Sequence, residues 1–166
     1  MSVGQDDLLK SINTIWDAST LDATFKALWT DVPDGDDFPV LHDTEAGGEQ
    51  PWPYCIFESQ PGTVVTRMSK GTDDLWMIRD EPAMFKIHAC EVDGDVRTAK
   101  EIAADLVEEI MKVFGGHPTV APESMSLDNG DHLVTLYQND YSVREADSCW
   151  VWTVNYVFRI DVPEMA

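Results

Sequence analysis

Three cysteines, four histidines and a large excess of carboxylates are the residues that could do chemistry in this chain. Cys55, Cys90 and Cys149 form an odd set with no CxxC spacing. That pattern predicts neither a disulfide framework nor a zinc site. Each cysteine sits in an apolar or strand-like stretch, where a buried free thiol is the default. His42, His88, His117 and His132 are too far apart in sequence to form a local ligand pair. Only His88 and His132 could approach each other, across a sheet, and paired strand histidines are usually ordinary polar-face residues. His88 and Cys90 share a strand face, as a thiol nucleophile would require, but no oxyanion-hole loop and no orienting Asn or Asp is placed by sequence. Asp31-x-x-Asp34-Gly35-Asp36-Asp37 has the acids of a calcium loop without the D-x-D-x-D-G order or the closing glutamate, so it reads as a solvated loop. GxGxxG, Walker, GxSxG and HExxH patterns are absent. The expectation is a protein without a catalytic centre, metal or cofactor. The alternative enzyme class is a small hydrolase using carboxylates or Cys90.

Charge narrows the partners. There are 31 acids against 11 bases, a net charge of −20. Such a surface repels nucleic acid and anionic lipid. No run approaches the ~18 apolar residues of a membrane span. The acidic start, Met1 to Asp7, does not read as a secretory signal. The chain is therefore expected in a cytoplasm or in a particle assembled there. At 166 residues and 43% hydrophobic, it reads as one globular domain spanning 1–166.

The six tryptophans divide in two. Trp16, Trp29, Trp150 and Trp152 lie on apolar faces and are expected in the core. Trp52 and Trp76 lie in polar, loop-like surroundings. Large exposed aromatics anchor contacts, so Trp52 and Trp76, with the bases Arg67, Lys70 and Arg79, form the candidate partner surface. The competing reading is that each tryptophan folds back on its own loop.

The elements that must position these residues follow from periodicity. Leu8, Leu9, Ile12, Ile15 and Trp16 mark a helix over about 5–17, and Leu21, Phe25, Leu28 and Trp29 a second over about 20–30, opened by a capping box at Ser19-x-x-Asp22. Residues 31–53 are an acidic, proline-rich loop. Tyr54–Phe57 and Thr63–Thr66 read as strands, and residues 66–77 as a mobile hairpin arm. Met84–Glu91 alternates, with Phe85, Ile87 and Ala89 on one face and Lys86 and His88 on the other. Val96–Phe114 carries the clearest amphipathic stripe, with Asp95 as its expected N-cap and Gly115-Gly116 as its stop. Leu133–Tyr137 is a strand that Tyr141–Arg144 continues past a bulge. The last strand puts Trp150, Trp152, Val154, Tyr156, Phe158, Ile160 and Val162 on one face. The order α-α-β-β-β-α-β-β predicts an α+β domain with a mainly antiparallel sheet and helices on one face.

This order resembles the tail terminator, or tail completion, proteins of long-tailed bacteriophages and prophages. The resemblance is carried by Pro53-Tyr54-Cys55-Ile56, by the strand Met84–Ala89, by the helix Ala99–Leu106 and by the closing strand Val154–Arg159. It runs over about 5–162, with the acidic 31–53 and the 117–131 loops as departures. It implies a homo-oligomeric ring, a hexamer, that sits on the tail tube, ends its polymerisation and offers a joining surface to the head–tail connector. It implies no catalysis. A monomeric α+β binding module is the alternative from another class.

Overall fold

A computed structural model describes residues 3–30, 32, 38–69 and 75–163. Two N-terminal helices, α1 (Val3–Ala18) and α2 (Leu21–Lys26), lead into β1 (Leu41–His42), β2 (Tyr54–Ser59), β3 (Thr63–Ser69) and β4 (Leu75–Cys90). Helix α3 (Ala99–Phe114) and the long hairpin of β5 (Asp131–Ala146) and β6 (Cys149–Pro163) complete the domain. The strands form one six-stranded sheet in the order β1-β2-β4-β6-β5, with β3 also paired to β4. All pairings are antiparallel except β1 with β2. The architecture is α+β.

The alternation expected for the last strand is what builds the core. Val154, Tyr156, Phe158, Ile160 and Val162 of β6 are buried, and their neighbours in β4, Ala83, Phe85, Ile87 and Ala89, are buried beside them. The α3 stripe of Ile102, Ala103, Leu106, Val107, Ile110 and Phe114 covers this face. Phe85 is the hub: its ring lies 4.7 Å from Phe114, 5.1 Å from Phe57 and 6.4 Å, stacked, from Trp16 of α1. Trp16 in turn packs on Phe25 of α2, so all three helices lie on one side of the sheet.

Several boundaries differ from the sequence reading. The N-cap of α3 is Thr98, not Asp95: Thr98 accepts from the Glu101 amide while the Glu101 carboxylate accepts from the Thr98 amide. Asp95 instead binds Arg97, which also reaches Asp105 on α3, so the turn is clipped to the helix by charge. The Ser19/Asp22 capping box does not form. Ser19 Oγ accepts from the Leu21 amide, and Asp22 accepts from the Trp16 indole at 3.0 Å. Gly115 and Gly116 do end α3, both at positive φ, which a side chain would strain. The strand read as Met84–Glu91 begins at Leu75, because its first half pairs with both β3 and β6. The described parts of the expected 66–77 arm are therefore paired strand; residues 70–74 lie outside the described residues. A two-residue strand, β1, was not expected within the acidic loop. Of the four tryptophans expected in the core, Trp16 is buried; Trp29, Trp150 and Trp152 are half-buried.

The largest correction concerns the cysteines. Cys90 and Cys149 face each other at the end of the β4–β6 ladder and form a disulfide, leaving Cys55 as the buried free thiol. Their separation of 59 residues hides the pairing in sequence; only the register reveals it.

Phe85→Ala should cost about 3–5 kcal/mol, since four aromatic rings close on the site and cannot all collapse into the void. Trp152→Ala, at a half-buried position, should cost less. Chemical denaturation of the two variants checks the order.

Candidate interface surfaces

The sheet face away from the helices carries a cluster of interacting rings. Tyr54 and His88 are directly paired on β2 and β4 and stack at 4.6 Å with an interplanar angle of 5°. Trp52 meets both edge-on, at 5.0 Å from Tyr54 and 5.6 Å from His88. His42 closes on Tyr54 from β1. Thus Trp52 folds back on its own neighbourhood. His88 Nδ1 lies 3.5 Å from the Glu145 carboxylate of β5. Burial pushes the His88 pKa below its ordinary value, partly opposed by Glu145. An open cleft of about 540 Å³ lies beside Trp52, between Leu28, Gln50, Cys90 and Glu91.

His88 and His132 do not meet. His132 opposes Ile160 on the helix-covered face, where its Nδ1 accepts from the Met125 amide and its Nε2 contacts Thr135 Oγ1 at 2.9 Å. Burial lowers its pKa too. The thiol that would have partnered His88 is in the Cys90–Cys149 disulfide, so the Cys90 nucleophile is removed. Among the described residues no group of three or more His, Cys, Asp or Glu side chains is arranged to hold a metal.

The other sequence-chosen residues distribute along the β3–β4 arm. Arg67 is on β3, opposite Met77; Trp76 is half-buried on β4, opposite Met68; Lys70 lies outside the described residues. Arg79 is turned inward: its Nε donates to buried Glu81 at 2.9 Å, and Nη2 donates to the Gly62 carbonyl at 3.4 Å. Burial raises the Glu81 pKa, against the opposing pull of Arg79. A Cβ at Gly62 would fall on the Glu81 carboxylate, so the turn between β2 and β3 is pressed onto this ion pair. Arg79 and Glu81 thus fix the base of the arm. Arg159 of β6 grips Asp80 through two bonds of 2.8 and 2.9 Å, which holds the Asp80 carboxyl below its usual range.

Sequence reasoning missed the exposed apolar surface. Leu133, Val134, Leu136, Tyr137, Tyr141 and Val143 of β5 are 36–56% exposed, and Val64 and Val65 of β3 are 44% and 48% exposed. They sit on β3 and β5, two of the sheet's outer strands. Val134, Leu136, Tyr141 and Val143 oppose Arg159, Val157, Thr153 and Val151 on the face that carries no helix. The signal available was the double run Leu133–Tyr137, which is apolar on both faces where a half-buried strand would alternate.

These features define a two-layer α+β domain with a long central ladder, one helix-covered face and apolar outer strands. The fold is shared with solved structures. One is a chain of the virion of a native gene transfer agent (GTA) particle, 14% identical, with a TM-score of 0.52, covering 95% of this chain and 96% of that one. No family model matches the sequence, and no curated protein matches it.

The two depressed histidines set a pH dependence. Below about pH 6.5 the unfolded chain takes up protons that His88 and His132 resist in the fold, so stability falls as pH falls through that value. From about pH 7.5 to about pH 5.5 the loss should be at most about 1.4 kcal/mol per pH unit for each histidine. His88→Gln should flatten its part of the slope, as read by denaturant midpoints at the two pH values. An unchanged slope would remove His88 from the account.

Proposed function

We propose that the chain is a structural protein of a phage-like particle that caps the end of a tail tube as a ring. The ring, a hexamer in the terminator family the sequence resembles, would stop tube polymerisation and present a surface to the head–tail connector. The observation that carries this reading is the fold shared along 95% of the chain with a component of a virion particle. The element order read from the sequence agrees with it. The exposed apolar outer strands give a subunit what a cyclic assembly needs, two different patches that meet head to tail. The net charge of −20 suits a collar around a DNA passage, because an acidic wall does not hold the passing phosphates. No catalysis, cofactor or specific nucleic-acid binding is part of this proposal.

The same charge shapes assembly. Each subunit brings −20, so like-charge repulsion opposes closing a ring. Salt screens that repulsion within ~8 Å at physiological ionic strength. Raising salt should therefore promote association of the purified subunit, measured by light scattering over a range of concentration, whereas an interface built on ion pairs would weaken. Purified subunit should also block further growth of a cognate tail tube. A monomer at every salt and concentration that cannot cap a tube would overturn the ring and favour a monomeric binding module, with the cleft beside Trp52 as its site.

A further inference from the structure

Among the described residues β1, β3 and β5 are the outer strands of the sheet, and the β3 and β5 edges match. At one side of the sheet β3 pairs with β4 alone; at the other β5 pairs with β6 alone. One row crosses the sheet from Val64 through Arg79 and Ile160 to His132, so β3 and the first part of β5 stand at the same level on opposite sides. Most of the exposed large apolar residues belong to these two strands. Their charges differ in sign: Thr63–Ser69 holds one base, Arg67, and no acid, while Asp131–Ala146 holds Asp131, Asp140 and Glu145 against Arg144. A second copy of this chain supplies both complements.

We propose that β3 of one subunit packs against β5 of the next, head to tail, and that this contact closes the ring. The inference rests on the ring reading above and names the surfaces that make it. Both strands carry bulges, at Val65 in β3 and at three places in β5. Bulges interrupt the outward row of amide groups and suppress indiscriminate strand addition. The contact is therefore made chiefly by side chains, centred on Val65 and Leu133, the extra exposed residues at the β3 bulge and the first β5 bulge. Arg67 stands on the strand that faces the acidic one. A heterologous contact between edges at one level propagates in one plane, as a closed ring requires.

Cysteine cross-linking tests the pairing. Val65→Cys and Leu133→Cys place thiols on exposed positions, while the natural cysteines are either bonded or buried. Under assembling conditions an oxidised mixture of the two variants should give a covalent dimer at twice the subunit mass, and neither variant alone should. A chain carrying both changes should give a ladder that ends at the ring. Rings that form without the mixed dimer would overturn the edge pairing while leaving the ring reading intact. Efficient self-linking of the Leu133→Cys variant alone would replace head-to-tail contact by a two-fold one. Failure to oligomerise at all, with the wild type equally monomeric, would overturn both. As a second measurement, Val65→Glu should raise the concentration needed for assembly more than Val65→Lys, because only the first adds an acid opposite an acidic strand. Equal behaviour of both variants and the wild type would also overturn the pairing.

Discussion

The β4–β6 ladder is the constraint on which the rest of the molecule depends. It runs without a register break from Trp76 opposite Pro163 to Cys90 opposite Cys149. A 16-residue strand reaches roughly 53 Å, whereas a 16-residue helix reaches only about 24 Å. One helix of equal residue count therefore covers about half of such a ladder. Helix α3 covers the Phe85 and Tyr156 region, and the remainder needs a second cover. Helix α1 provides it, together with the segment after α3. Ser11 Oγ donates to the Ser126 carbonyl at 3.0 Å, Asn129 binds Asp7, and Met125 is buried in the same core. The unusual length of the 117–130 connection is explained by this role.

Both ends of the ladder are clamped. The Cys90–Cys149 disulfide holds one end, and the two-bond Arg159–Asp80 pair ties the strands near the other. Between them, Tyr156 Oη donates to the Gly115 carbonyl at 2.6 Å, which fixes the end of α3 to β6. Burial raises the Tyr156 pKa, so the hydroxyl stays protonated as that bond requires. Strand β5, exposed along most of its length, is paired to β6 from Asp131 to Ala146, and side-chain bonds such as Trp152 Nε1 to Asp140 at 2.7 Å and Asn155 to Asn139 at 2.8 Å add to the ladder.

The sequence reading succeeded where one physical signal dominated. The α3 stripe, the β6 alternation and the glycine stop after Phe114 each follow from periodicity or backbone freedom alone, and each stands in the structure. It failed where a residue's role depends on a neighbour across the sheet. Asp80, Glu81 and Pro82 fall outside the strand read as Met84–Glu91, yet they continue β4, where Arg159 pairs with Asp80 and Arg79 with Glu81. Cys90 and Cys149 look like unrelated thiols until the register places them face to face. Asp95 looks like a cap because it precedes the stripe, but Arg97 claims it and Thr98 takes the position. The apolar edges were hidden for the opposite reason: Val64, Val65 and the β5 residues look like ordinary strand interior, and only the sheet order shows that nothing described in the chain lies beyond them.

That last point connects composition to assembly. A subunit with two apolar sheet edges would ordinarily aggregate, since such edges are templates for any other strand. Here the bulges disrupt the backbone template, and a strongly acidic surface makes copies repel at a distance. Repulsion is long-ranged but screened, while apolar contact acts only when side chains touch. In the proposed ring the two together would reject loose encounters and admit a contact in which matched edges meet in register. On that proposal the acidity of the chain would raise the threshold for association, so that a small apolar interface becomes conditional on geometry, on salt, or on a scaffold that already holds the subunits side by side.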